Sequence, residues 1–84
     1  MAKVEANKTY VGVVEDNYDP KRLGRVKVRV LDVFDNLKVE DIPFATSWKD
    51  LNGNVVNIPE KGKVLLVVFD QGDEYKPEYI SADH

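Results

Sequence analysis

Arg25, Lys27 and Arg29 alternate with Val26, Val28 and Val30. Successive side chains of an extended chain point to opposite faces, so this spacing lines one face with three positive charges and the other with valine. The chemistry such a face offers is phosphate recognition, with Trp48, Phe44 and Tyr10 as aromatic surfaces on which unpaired bases would stack. The charge of the whole chain opposes that reading. Its 84 residues hold 12 Lys and Arg against 15 Asp and Glu, a formal net charge of −3. A domain that binds by displacing counterions from phosphates is ordinarily basic. The plainer role for the three cations is to face water and pair with acids across the strand.

Other reactive groups are sparse. A nucleophile needs a base beside it, and the single histidine is His84, the last residue, where chain order is usually poor. Glu15, Asp16 and Asp19 form one acidic cluster, and Asp70, Asp73 and Glu74 another. Hard cations take such oxygen ligands, but neither cluster has the fixed glycine and terminal Glu of the calcium loop, so both read as solvated turn residues. The stretch "NGNVVNIPEKGK" has two glycines but lacks the Lys-Ser/Thr of a phosphate loop. Paired carboxylates remain available in number, with nothing to place two of them in a pocket. These residues predict no catalytic group, no metal site and no cofactor.

The elements that position these side chains are strands. "TYVGVVE" at 9 to 15 is β-branched and aromatic, with Gly12 marking a bulge or a close backbone approach. "DNYDP" then supplies turn formers, with Pro20 fixing φ and Gly24 closing the turn before the cation–valine strand. That alternation fails at Leu31, which predicts a β-bulge or sharp bend near Val30 and Leu31. "DNLKVEDIP" is a polar loop and "FATSW" at 44 to 48 a third strand. Asn52-Gly53 is a tight-turn dipeptide that suggests a short hairpin. Gly53, Pro59 and Gly62 break any helical window from 50 to 62. Gly62 launches the fourth strand, and "QGDEYKP" turns the chain into a fifth, "EYISA".

Five strands in about 80 residues fit a small Greek-key barrel of the OB type better than a sandwich, which asks for about seven. An SH3-like barrel is the nearest competitor. The expected fold is therefore all-β, one five-stranded domain over 1–84 with its core at about 9–82, little or no helix, and flexible ends at 1–8 and after the last strand. A chain of this length buries only about 60–65% of its unfolded surface, so its core is compact. Without cysteines it has neither disulfides nor thiolate ligands. The longest apolar run, "VLLVVF" at 64 to 69, falls far short of the roughly 20 residues that cross a bilayer, and no signal peptide is visible.

That run carries the strongest hint of function. A half-exposed strand alternates apolar with polar residues, yet here six consecutive positions are apolar. Either loops cover both faces, or the outer face awaits a partner. The expected interface residues are Leu65, Val67 and Phe69 on this strand, with Arg25, Lys27 and Arg29.

As a set, these stretches resemble a known family. "VGVVEDNYDPKRLGRVKVRVLDV", residues 11 to 33, is similar to the opening of the N-terminal OB domain of the membrane-puncturing central spikes of contractile phage tails and of the related VgrG-type spikes of type VI secretion. The shared features are Gly12 to Val14, Glu15-Asp16, Asp19-Pro20, Leu23 to Arg25 and the alternating valines. "DIPFATSW" fits the third strand of that family, and "IPEKGKVLLVVFDQGDEYKPEYI" its Pro-x-x-Gly, buried strand, Gly-Asp and closing strand. The resemblance spans roughly residues 9 to 80. The loop between the second and third strands is short, and Ser81-Ala82 stand where the family has a closing glycine.

The resemblance implies a structural part of a virion tail, made in the bacterial host cytoplasm, that docks onto tail hub or baseplate proteins. Neither a lysozyme domain nor a β-helical needle fits in 84 residues, so lytic and puncturing activities are not carried over. The resemblance further implies a monomer in isolation and a trimer within an assembled spike. Asp19, Pro20, Gly24, Pro59 and Gly62 are the expected structural turn residues. A single-stranded nucleic-acid binder is the alternative reading, and an accessory domain of an enzyme a third.

Overall fold

A computed structural model describes residues 4–47 and 58–80. Five strands form in chain order: β1 (Tyr10–Asp16), β2 (Val26–Val30), β3 (Phe44–Ser47), β4 (Val64–Phe69) and β5 (Pro77–Ile80). They close into a barrel with the order β1-β2-β3-β5-β4, and every neighbouring pair is antiparallel except β3 with β5. The only helical pieces among the described residues are two 3-10 turns, Val39–Asp41 and Asp70–Gly72. This is the all-β OB barrel expected from the strand count.

The interior follows from the pleat. On β2 the three valines are buried and the cations between them half-exposed. Val14 on β1, Ala45 on β3 and Tyr79 on β5 meet them in the core. Phe34, from the loop after β2, and Tyr10 each meet Phe69 edge to face, with centroids 6.0 and 5.3 Å apart, a geometry that aligns a ring edge with the negative face of its neighbour.

Gly12 lies tight against β2. A Cβ there would overlap Val28 Cγ1 and sit 3.0 Å from the Arg29 carbonyl oxygen, so the glycine permits the close approach its sequence position suggested. Of the bulge or sharp bend expected near Val30 and Leu31, the structure has the bend, and the bulge lies elsewhere. The register shift is in β1, between Val14 and Asp16, which leaves Glu15 as the extra residue. Beyond Val30 the chain leaves the sheet in a turn, with Asp32 at φ 68° and Phe34 N–H donating to the Val30 carbonyl at 2.9 Å. The failed alternation at Leu31 therefore marks the end of a strand.

Gly62, at φ 88°, takes the left-handed conformation that glycine accommodates without strain. Its N–H donates to the Val14 carbonyl at 2.8 Å, which starts β4 in register with β1. Pro59 is buried, and its carbonyl accepts the Asn17 side-chain amide at 3.3 Å. The expected hairpin at Asn52-Gly53, together with Trp48 and His84, lies outside the described residues.

Candidate docking interface

The β1–β2 turn is built around one carboxylate. Asp19 is 8% exposed and accepts backbone N–H bonds from Lys21, Leu23 and Arg25 at 2.9, 3.0 and 3.2 Å. Its two oxygens also receive Arg25 Nε and Nη2, each at 2.9 Å, in a bidentate pair. The Arg25 guanidinium is the main reason the Asp19 carboxyl is held well below the usual carboxylate range, and Asp19 in turn raises Arg25. Burial opposes both shifts and loses to the ion pair and the amides. The turn is tied to the far side of the barrel by the buried Tyr79 hydroxyl, which donates to the Gly24 carbonyl at 3.0 Å.

The other two cations of β2 do similar work. Lys27 Nζ donates to the carbonyls of Val39 and Glu40 at 3.2 and 3.1 Å, binding the 3-10 turn to the wall. Arg29 pairs with Glu15 and donates through Nη1 to the carbonyls of Phe34, Asp35 and Leu37. The sequence placed these three side chains on the outer face, and they lie there. Their hydrogen-bond donors, however, are directed to the domain's own loops. Phe44 lies under two of them, with Arg25 Cζ 4.3 Å and Lys27 Nζ 5.0 Å from its ring centroid, and Tyr10 packs on Phe69. Two of the three aromatics considered for base stacking are thus already in contact with other groups.

The outer surface of β4 is different in kind. Leu65, Val67 and Phe69, expected at the interface, are at most 3% exposed and form the barrel interior. Register is the cause: Gly12 opposite Leu65 and Tyr10 opposite Val67 turn the odd-numbered positions inward. The outward positions are Val64, Leu66 and Val68, with Val64 60% and Leu66 45% exposed. Val64 pairs with Val13 and Leu66 with Val11 on β1, while Leu66 also pairs with Ile80 on β5. Partners share a face, so three adjacent strands present one apolar wall. Leu31, half-exposed and joined through its N–H to the Val11 carbonyl at 3.1 Å, extends it. Six unbroken apolar residues gave no period from which the inward set could be chosen, and the partners of the outward set, the exposed Val11 and the half-buried Ile80, are defined only through pairing.

The acidic clusters of the sequence are dispersed. Glu15 turns to Arg29 and Asp19 to Arg25, while Asp16 and Asp73 accept the backbone N–H bonds of Tyr18 and Tyr75. Among the described residues no group of three or more His, Cys, Asp or Glu side chains is arranged to hold a metal ion. A shallow cleft of about 260 Å³ is lined by Phe44, Thr46, Asp70, Tyr75, Pro77 and Glu78, among others. Burial, and then the nearby Asp70 charge, push the Glu78 carboxyl up.

Residues 10–82 match the family model described as the type VI secretion system/phage-baseplate injector OB domain. No curated protein matches the chain.

Proposed function

This chain belongs to the family of type VI secretion system/phage-baseplate injector OB domains, and from that premise we propose that it is a non-catalytic docking part that binds tail hub proteins through its β1-β4-β5 wall. The observation that carries the reading is the wall itself. A soluble domain leaves single apolar side chains exposed at no special cost, but contiguous ones across three strands mark a surface made to be covered. Each described strand is hydrogen-bonded to a neighbour on both sides, so the partner meets side chains and does not add a strand. The location that goes with this role is the tail or baseplate of a virion, after synthesis in the host cytoplasm. The isolated domain is expected to be monomeric and to become trimeric within an assembled spike.

The nucleic-acid reading draws no support from the site. Arg25, Lys27 and Arg29 spend their donors on Asp19, Glu15 and loop carbonyls, and breaking those contacts to reach phosphates would loosen the loops they hold. The direct experiment is titration of the domain into the cognate tail hub protein by calorimetry, beside an anisotropy titration with a single-stranded oligonucleotide. Saturable heat with the hub and a flat oligonucleotide curve at low salt are expected. Silence with the hub, or salt-sensitive oligonucleotide binding, would overturn the proposal.

A further inference from the structure

Resting on that docking reading, we propose that the β1–β2 turn is a second contact, a preformed cationic knob that enters an apolar cleft rimmed by Asp and Glu on the hub. Three observations carry it. The Asp19 carboxylate fixes the turn through three backbone amides and a bidentate arginine, so the loop is ordered before any partner arrives. Arg22 is held at φ 55°, a region that side chains with a Cβ rarely adopt. Strain of that kind persists only where the surroundings over-determine it, and it concentrates at functional sites.

What the turn displays is the third observation. Tyr18 is 70% and Leu23 59% exposed, and Lys21 and Arg22 are exposed beside them. Asp19 is neutralised by Arg25, whereas neither Lys21 nor Arg22 forms an ion pair with a described residue. The tip therefore carries two positive charges with no ion-pair partner among the described residues, on a chain whose formal net charge is −3. Tyrosine and arginine are the side chains enriched where protein surfaces meet. Two cations are too few to bind a phosphate backbone by counterion release, and the apolar pair beside them calls for a complementary apolar surface. An acidic rim around an apolar cleft satisfies both halves of the knob.

The test uses the whole chain and the cognate hub protein, with calorimetry at about 50 and 300 mM salt, which spans strong and weak screening of exposed charges. Lys21→Glu with Arg22→Glu should weaken binding by about tenfold or more and flatten its salt dependence. Tyr18→Ala with Leu23→Ala should weaken it by a similar factor and keep the salt dependence. All four side chains are exposed, so both variants should melt close to the wild type. Affinities within twofold of wild type for both variants would overturn the inference while leaving the docking reading standing. Salt-dependent oligonucleotide binding by the wild type, lost in the charge-reversed variant, would overturn it in favour of a phosphate-binding loop. A wild-type chain that ignores the hub ends both.

Discussion

Leu65 and Leu66 are chemically identical neighbours on one strand, yet one is 3% and the other 45% exposed, so altering each in turn separates fold from docking. Leu65→Ala empties part of the barrel interior beneath Gly12. Buried Leu→Ala changes cost about 2–5 kcal/mol, the spread reflecting how far the site collapses. Taking about 3 kcal/mol, and about 4–8 °C per kcal/mol for a domain of this size, Tm falls by roughly 12–24 °C. Leu66→Ala leaves the interior intact, and a surface change of this kind stays within about 0.5 kcal/mol, or a few degrees. On docking, the exposed half of Leu66 represents about 1 kcal/mol of burial, a roughly fivefold loss of affinity for the alanine variant. Leu66→Asp does more, because it places an unpaired carboxylate in a covered apolar surface, which costs about 3–5 kcal/mol and raises Kd by more than about 100-fold. Scanning calorimetry reads the first effect and titration with the hub the second. A Leu66→Asp chain that binds the hub like the wild type would refute the assignment of the wall. A Leu65→Ala chain that melts within a few degrees of the wild type would refute the register that turns Leu65 inward.

The other predictions concern the packing and the charges behind that wall. Gly12→Ala should lower stability by about 1–3 kcal/mol, because its Cβ overlaps Val28 Cγ1; combined with Val28→Ala in a double-mutant cycle, the pair should be less destabilised than the sum of its parts, and additivity would remove the close-contact explanation. Asp19 has its folded-state pKa depressed chiefly by Arg25, so its contribution is complete above the unfolded carboxylate value of about 3.9 and is lost as pH falls below it. Asp19→Asn should therefore lower Tm at neutral pH and flatten the acid limb of the Tm–pH curve below about pH 4, and parallel curves for the two proteins would contradict this. Glu78 has the opposite sign: burial and Asp70 raise its folded pKa, so its destabilising contribution grows as pH rises above the unfolded carboxylate value and is complete above the folded one. Glu78→Gln should raise Tm at pH 7 and lose that advantage near pH 3, and a variant no more stable than wild type at pH 7 would show that the carboxylate is adequately solvated.

The barrel was legible because all five of its strands announce themselves in the sequence. The alternation from Arg25 to Val30 fixes which side of β2 is buried, and Gly12 signals a bulge or a close backbone approach, of which the structure has the approach, to β2. β4 shows where that legibility stops. Six consecutive apolar residues have no period, so which of Leu65 and Leu66 turns inward is decided only by long-range pairing with β1. The bulge was missed for a related reason. Glu15 is an ordinary polar residue in a strand that ends in polar residues, and its extra place in the ladder is defined only by what β2 sets opposite it.

The cations of β2 illustrate a deeper limit and explain why the wall is apolar at all. Periodicity placed Arg25, Lys27 and Arg29 outward, but their partners are Asp19, Glu15 and carbonyls up to 13 residues away, and no local pattern encodes contacts to irregular loops. With these charges drawn onto Asp19, Glu15 and the loop carbonyls, polar chemistry is concentrated on the β2 side of the barrel, while Val11, Val64 and Leu66 face outward opposite apolar residues and Val13, between Val64 and Arg29, marks the edge of that wall. A surface with one polar side stapled to its own loops and one side bare gives a partner a single preferred approach, since rotating the barrel would bury ion pairs at a desolvation penalty with nothing to compensate them. Under the proposed docking role, orientation as well as affinity is what that division of charge would supply.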